Sequence, residues 1–330
     1  MTKISVVIPL YNGEKYIAKT IQNVQKQNMS DWELIICDNN SLDESKAIVE
    51  QFLDDTRITL VTCEKPGPSA ARNKGLEKVT GKYVVFMDAD DDVNDSYLQT
   101  LLQSIEQEGV DMSACLYDTI HHGKVVFEHP FEPLFYTNEE MIERLFQIEF
   151  YQGFIWNKMF SADLIRKYNL KFDESVFYNE DRLFQVSYLM HCRKVAFSNS
   201  REYHYCLRES SAMGEQREHQ KNVATDKETT EIEAFLKMGK LLKEKPELRK
   251  TCYDDMMFST FRMFRKMLSS EHWFLYRKHK LRKLARKMMH IPFEAPTEEQ
   301  RILRNKLIQY GFFGVTYTSN PDFFKDEKDR

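Results

Sequence analysis

Cysteine is sparse and unclustered in this sequence. Six residues, at positions 37, 63, 115, 192, 206 and 252, fall singly with no C-x-x-C pair. That pattern argues against a secreted disulfide framework and suits reduced, buried thiols in the cytoplasm. No apolar run approaches the ~20 residues needed to cross a bilayer. The N-terminus enters a strand-like run directly, without a charged leader and apolar signal core, so no secretory peptide is expected. A net charge of −4 gives no argument for a nucleic-acid partner. Glycine is scarce, with 11 residues in 330, and the loop after the first apolar run, YNGEKY, holds one. A glycine-rich phosphate loop is therefore missing there. No internal repeat is evident.

What remains is an ordinary globular composition, 42% hydrophobic and 30% charged, with length for two domains. The organising stretch is residues 83–92, YVVFMDADDD. A short continuous apolar run reads as a strand buried on both faces. Its end projects Asp88, Asp90, Asp91 and Asp92 into the crevice where open α/β sheets bind ligands. Carboxylates packed this closely disfavour one another's ionisation, and a divalent cation with substrate phosphates would relieve them. An acidic loop capping the next helix is the plainer alternative.

The preceding chain supplies the context. Residues 4–10 (ISVVIPL), 32–37 (WELIIC) and 58–62 are further strands, separated by helical patterns at Ile17, Ile21 and Val24, at Ile48, Val49 and Phe52, and over 70–78. Strand–helix alternation with short links predicts a doubly wound, mostly parallel sheet flanked by helices. Beyond it, a helix at 97–105, a strand at 112–117 with a hairpin turn at 121–123, helices at 137–149, 162–168 and 178–189, and short strands at 194–197 and 202–207 are expected. From about residue 215 charge dominates and apolar residues fall at helical spacing: Ile232, Phe235, Leu236, then Met257, Phe261, Phe264 and Met267. The expected division is an α/β catalytic domain over 1–214 and a helical add-on module over 215–330, with a frayed tail at 325–330.

Four segments in order, IPLYNGEKYI, ICDNNSLDES, PGPSAARNKG and MDADDD, followed by NEDRLF near 180, resemble the family 2 glycosyltransferases of GT-A fold. The resemblance covers the first 210 residues or so. It implies a metal-dependent, inverting transfer of a sugar from a UDP-sugar donor to a hydroxyl of a glycan or glycoconjugate acceptor, as in bacterial surface polysaccharide or glycoprotein synthesis. Asp38, at a strand end, would bind uracil, with Pro9 and Tyr11 forming the base pocket and Asn12 in the adjoining loop. Arg72 and Asn73 match the stretch that contacts the nucleotide. Asp88 and Asp90 match the DxD positions: the first meets ribose or metal-bound water, and the second binds Mn²⁺ or Mg²⁺ bridging the diphosphate. Asp91 and Asp92 are extra, serving the acceptor or capping the next helix, with the cap preferred for Asp92. Glu180 and Asp181 match the acidic pair, in which the Asp is the base; a helix N-terminal acidic pair is the plain alternative.

Trp156, Asn157 and Lys158 resemble the segment lining the acceptor side, although a buried Trp is nearly as good a reading. His204, in YHYCLRESS, would complete the metal shell, or Arg208 and Ser211 would clamp phosphate; a lone strand His is more often structural. The basic stretch 276–290 has two readings. One is a packed helix with a solvated basic face; the other is contact with the inner, anionic face of a membrane. A nucleotidyltransferase also needs strand-end carboxylates but wants the glycine-rich loop that is missing. A catalytically inactive sugar-nucleotide binder or scaffold subunit is the other alternative.

Overall fold

The computed structural model describes residues 3–147, 153–207 and 226–268. Ile148, Arg208, Ser211, the side chains of Phe261, Phe264 and Met267, and the stretches 276–290 and 325–330 lie outside the described residues. The chain divides into two compact units, Met1–Gly214 and Glu215–Arg330.

The first unit is built on a sheet whose strand path runs β3 (Ile58–Thr62), β2 (Trp32–Asp38), β1 (Ile4–Leu10), β4 (Tyr83–Phe86), β9 (Lys158–Ser161), β6 (Met112–His121), β10 (Lys194–Leu207) and β5 (Asp92–Val93). Strands β1 (Ile4–Leu10), β2 (Trp32–Asp38), β3 (Ile58–Thr62) and β4 (Tyr83–Phe86) pair in parallel. They are joined by helices α1 (Ile17–Gln25), α2 (Ser45–Glu50) and α3 (Pro68–Leu76). Ile4, Val6, Val7, Ile8, Leu34, Ile36, Val84 and Val85 are fully buried. Such burial is why these strands read as continuous apolar runs and not as alternating ones. Helix α3 lies tight on β1: a Cβ added to Gly75 would sit 2.4 Å from Val7 Cγ1 and 3.1 Å from Cys37 Sγ.

The second half of the sheet departs from an all-parallel plan. After β5 (Asp92–Val93) and α4 (Tyr97–Ile105), β6 (Met112–His121) forms a hairpin with β7 (Lys124–Glu128). His122 and Gly123 turn it, both at positive φ (49° and 72°). Then follow β8 (Phe135–Thr137), α5 (Asn138–Leu145), β9 (Lys158–Ser161), α6 (Ala162–Lys167), α7 (Glu180–Leu189) and β10 (Lys194–Leu207). Strand β9 slots between β4 and β6, antiparallel to both. An apolar run reports burial and says nothing of direction, so the inversion is invisible in the periodicity. Strand β10 is parallel to β6 and is one element of 14 residues, where two short strands were expected; register shifts between Ser198 and Tyr203 mark the irregularity. These pairings put the C-terminal ends of β1–β4, β6 and β10 on one edge.

In the second unit, α8 (Asp226–Leu241) and α9 (Pro246–Leu268) pack together. Ile232, Phe235, Met238, Cys252, Tyr253 and Met256 are buried, and the Tyr253 ring lies against Gly239, where a Cβ would stand 2.3 Å from it. No helix among the described residues is long and apolar enough to cross a membrane. All six cysteines are buried thiols.

Candidate active site

Three strand-end loops are tied into one rim. After β1, Tyr11 projects with 60% of its surface exposed, and Pro9 lies partly buried in the strand itself, opposite Cys37. Asn12, at φ 49°, donates its backbone N–H to Ser41 Oγ (3.1 Å) and accepts from the Leu42 N–H through Oδ1 (2.8 Å). At the end of β2, Asp38 is buried and accepts from the Ser41 N–H (3.3 Å). Next to it, Asn39 donates to the carbonyls of Cys63 and Lys65 and accepts from the Gly67 N–H (2.6 Å). The side chains that resemble a base pocket thus stand on a cross-braced platform.

Helix α3 starts at Gly67, whose φ of 115° suits glycine, with Pro68 in the first turn. It delivers Arg72 to the middle of the site, where only 5% of it is exposed. Its Nη1 donates to Glu180 Oε1 (3.2 Å) and Asp181 Oδ1 (2.9 Å), and its Nη2 to Asp88 Oδ1 (3.3 Å). Burial disfavours the guanidinium charge, and the carboxylates of Asp181, Asp88 and Glu180 outweigh it. Glu180 and Asp181 open α7 after Asn179, which takes the left-handed conformation (φ 64°). Adjacent helix positions diverge by about 100°, which by itself would turn one of the pair away. Instead each takes a hydrogen of the same buried nitrogen. Burial raises both carboxyl pKa values, that of Asp181 well above the usual range despite Arg72.

The four aspartates after β4 have separate fates. The Asp88 side chain is 33% exposed and faces Arg72. Asp90 is partly buried. Asp91 is 1% exposed, with both oxygens accepting hydrogen bonds, from the Tyr203 hydroxyl and the Cys206 N–H (2.9 Å each). Burial, then the charges of Asp88 and Asp90, push its pKa far up. It faces inward and serves neither an acceptor nor a cap. Asp92 binds Lys19 (2.6 Å) and Asn23 (3.1 Å); the cap position of α4 belongs to Ser96, so the expected capping role fails.

The remaining expected site residues lie as follows. His204 Nε2 lies 3.0 Å from Asn94 Oδ1, and Nδ1 lies 3.7 Å from Asp118 Oδ2. The ring sits beside Asp92 in the β5–β10 ladder. Trp156, Asn157 and Lys158 are interior and do not line an open acceptor face. Asn157 donates to the Cys115 carbonyl (2.8 Å). Lys158 Nζ donates to the Phe154 carbonyl (2.6 Å) and Asn157 Oδ1 (2.8 Å), and burial pulls its pKa down to about 7.

Among the described residues no group of three His, Cys, Asp or Glu could hold a metal alone. Asp88 and Asp90 offer two hard oxygen donors, which fits a Mg²⁺ or Mn²⁺ site whose remaining ligands are water and substrate phosphate.

Residues 5–168 match the family model described as glycosyl transferase family 2. The first unit belongs to that family. Over 220 residues the chain is 30% identical to glycosyltransferase GlyA of Streptococcus pneumoniae serotype 4, an alignment covering 63% of this chain and 31% of that protein. The chain thus spans less than a third of that relative's length. Among solved structures, S. aureus TarS 1–349 with UDP-GlcNAc has a TM-score of 0.63 at 17% identity, covering 93% of this chain and 92% of that one. The mannosyltransferase PcManGT of Pyrobaculum calidifontis, with GDP-Man and Mn²⁺, has a TM-score of 0.57 at 14% identity, covering 95% and 88%. At those identities the likeness shows the fold, the GT-A type. In this family 2 domain, Tyr203 and the inward role of Asp91 escaped sequence reading; a tyrosine in an aromatic strand carries no signal of its hydroxyl's partner.

Proposed function

We propose that the chain transfers a sugar from a UDP-sugar to a hydroxyl of a glycan or glycoconjugate, with inversion at the anomeric carbon and with divalent-metal assistance. The observation that carries the reading is Arg72 joining Asp88, just past the end of β4, to Glu180 and Asp181, which lie 108 and 109 residues beyond Arg72 in the chain. Asp38, Pro9, Tyr11 and Asn12 hold the base and ribose side on the braced rim. Asp88 and Asp90 would hold the divalent metal, which when bound would supply charge stabilisation for the diphosphate leaving group. Asp181 accepts the proton of the acceptor hydroxyl as a general base; Arg72 Nη1 donates to its Oδ1 (2.9 Å), and burial raises its pKa above the usual carboxylate range. Glu180 and Arg72 keep that carboxylate oriented. The TarS structure holds UDP-GlcNAc, which supports a UDP-sugar as donor. The 215–330 unit is assigned to acceptor access, and the enzyme to the cytoplasm.

The test is a panel of UDP- and GDP-sugars incubated with the full chain and Mn²⁺, with nucleoside diphosphate release followed. Release of UDP from at least one UDP-sugar is expected. Turnover confined to GDP-sugars would refute the donor assignment, and no turnover on any donor would refute the enzyme reading.

A further inference from the structure

The acidic end of β4 is held in place by a second strand. One oxygen of Asp91 accepts from the Tyr203 hydroxyl and the other from the Cys206 N–H, each at 2.9 Å. The same phenol oxygen accepts from the backbone N–H of Asp88 (3.3 Å). The hydroxyl of Tyr203 therefore bridges two aspartates of the DADDD run, one through its backbone and one through its carboxylate. The ring cannot turn away. Tyr203 is fully buried, stacks on Trp156 (centroids 4.3 Å apart, planes at 16°) and meets the edge of Tyr97 at 5.7 Å. Tyr97 in turn donates to the Trp156 carbonyl (2.5 Å).

A fold that needed only to hold this loop already has the β5–β10 ladder, which sets Tyr203 opposite Val93 and His204 opposite Asp92. Burying a third carboxylate beside Asp88 and Asp90 carries an electrostatic cost that the ladder does not require. What Asp91 adds is an acceptor that orients the phenol, and the phenol then fixes the peptide of Asp88.

We propose that Tyr203 and Asp91 are positioning residues of the donor site, acting as one unit that sets the Asp88 backbone and with it the separation of the Asp88 and Asp90 carboxylates. This rests on the donor site proposed above. Neither residue touches the donor. The required geometry is narrow, because Mg²⁺ and Mn²⁺ hold oxygen ligands at short, well-defined distances, so a loosened Asp88 costs metal-dependent binding first.

The experiment is calorimetry on the full chain with UDP, in Mn²⁺ and in chelator, together with amide exchange at Asp88. Tyr203→Phe removes one oxygen and keeps the stack. It should weaken Mn²⁺-dependent UDP binding about tenfold, the scale of one buried hydrogen bond. It should leave metal-free UDP binding unchanged and speed exchange of the Asp88 amide. Asp91→Asn should do the same, and the double variant no worse than either single, as for partners in one interaction. Tyr97→Phe deletes a buried hydroxyl from the same aromatic stack and should lower thermal stability without moving either affinity. Unchanged Mn²⁺-dependent affinity in Tyr203→Phe overturns the positioning role, as does an equal loss in metal-free binding or in Tyr97→Phe. If the unmodified chain binds no UDP with Mn²⁺, the donor-site reading itself falls; if it binds and only the variant result is negative, that reading stands.

Discussion

Arg72 is the residue on which the site closes. A guanidinium this buried survives only when its charge is met, and three carboxylates from two distant elements meet it. The consequence for the proposed base is order: Asp181 is held by a fixed donor and is not left to swing at a helix end. Replacing it by Asn keeps an oxygen for Arg72 and removes the proton acceptor. Asp181→Asn should therefore lower sugar transfer by about 10²–10⁴, the usual contribution of a general base, with UDP affinity unchanged. Steady-state transfer measured beside UDP binding checks this. A variant with near-normal turnover would move the base to another carboxylate, Glu180 first. Sequence spacing supplied the pair and the Arg, but not that they touch. That contact depends on how α3 and α7 approach the strand end.

Helix α3 delivers Arg72 because it can lie close on β1. The approach is set at Gly75, where no side chain separates the helix from Val7 and Cys37. Gly75→Ala puts a methyl group 2.4 Å from a β-branched strand side chain that has little room to move. Overpacking of this kind costs about 1–3 kcal/mol, against which the better helix propensity of alanine returns less than about 1 kcal/mol. A lower urea midpoint at unchanged slope is the expected outcome, and an equal or higher midpoint would show that helix and strand can part without loss. The parallel half of the sheet was legible because β1, β2 and β4 are continuous apolar runs, as strands covered on both faces must be. The other half was not. Strand β9 is a four-residue segment opening on a buried Lys and running in the reversed direction, β5 is two residues long, and β10 reads as two strands because its middle, Ser198 to Arg201, is polar and bulged. The strand-end aspartates were legible as a group, and their division was not: that Asp91 turns inward follows from the approach of β10, a contact across more than a hundred residues, and that Asp92 meets Lys19 from the packing of α1 beside β5.

At the scale of the whole molecule, one edge of a sheet collects groups from five separate parts of the chain: the loops after β1, β2 and β4, helix α3 and the start of α7. An α/β sheet gathers ligands on that edge because its parallel strands all end there. The helical unit after Gly214 is compact by its own α8–α9 packing and contributes none of the residues assigned to the donor. The central claim is that this edge binds a nucleoside diphosphate through a metal held by Asp88 and Asp90. Calorimetry of UDP binding to the full chain, with Mn²⁺ and then in excess chelator, tests it most directly when Asp90→Ala is measured alongside. Chelation should cost at least about tenfold in affinity, some 1.4 kcal/mol. Asp90→Ala should show the same loss with Mn²⁺ present and no further loss when the metal is then removed. UDP affinity indifferent both to Mn²⁺ and to Asp90 would contradict the central claim.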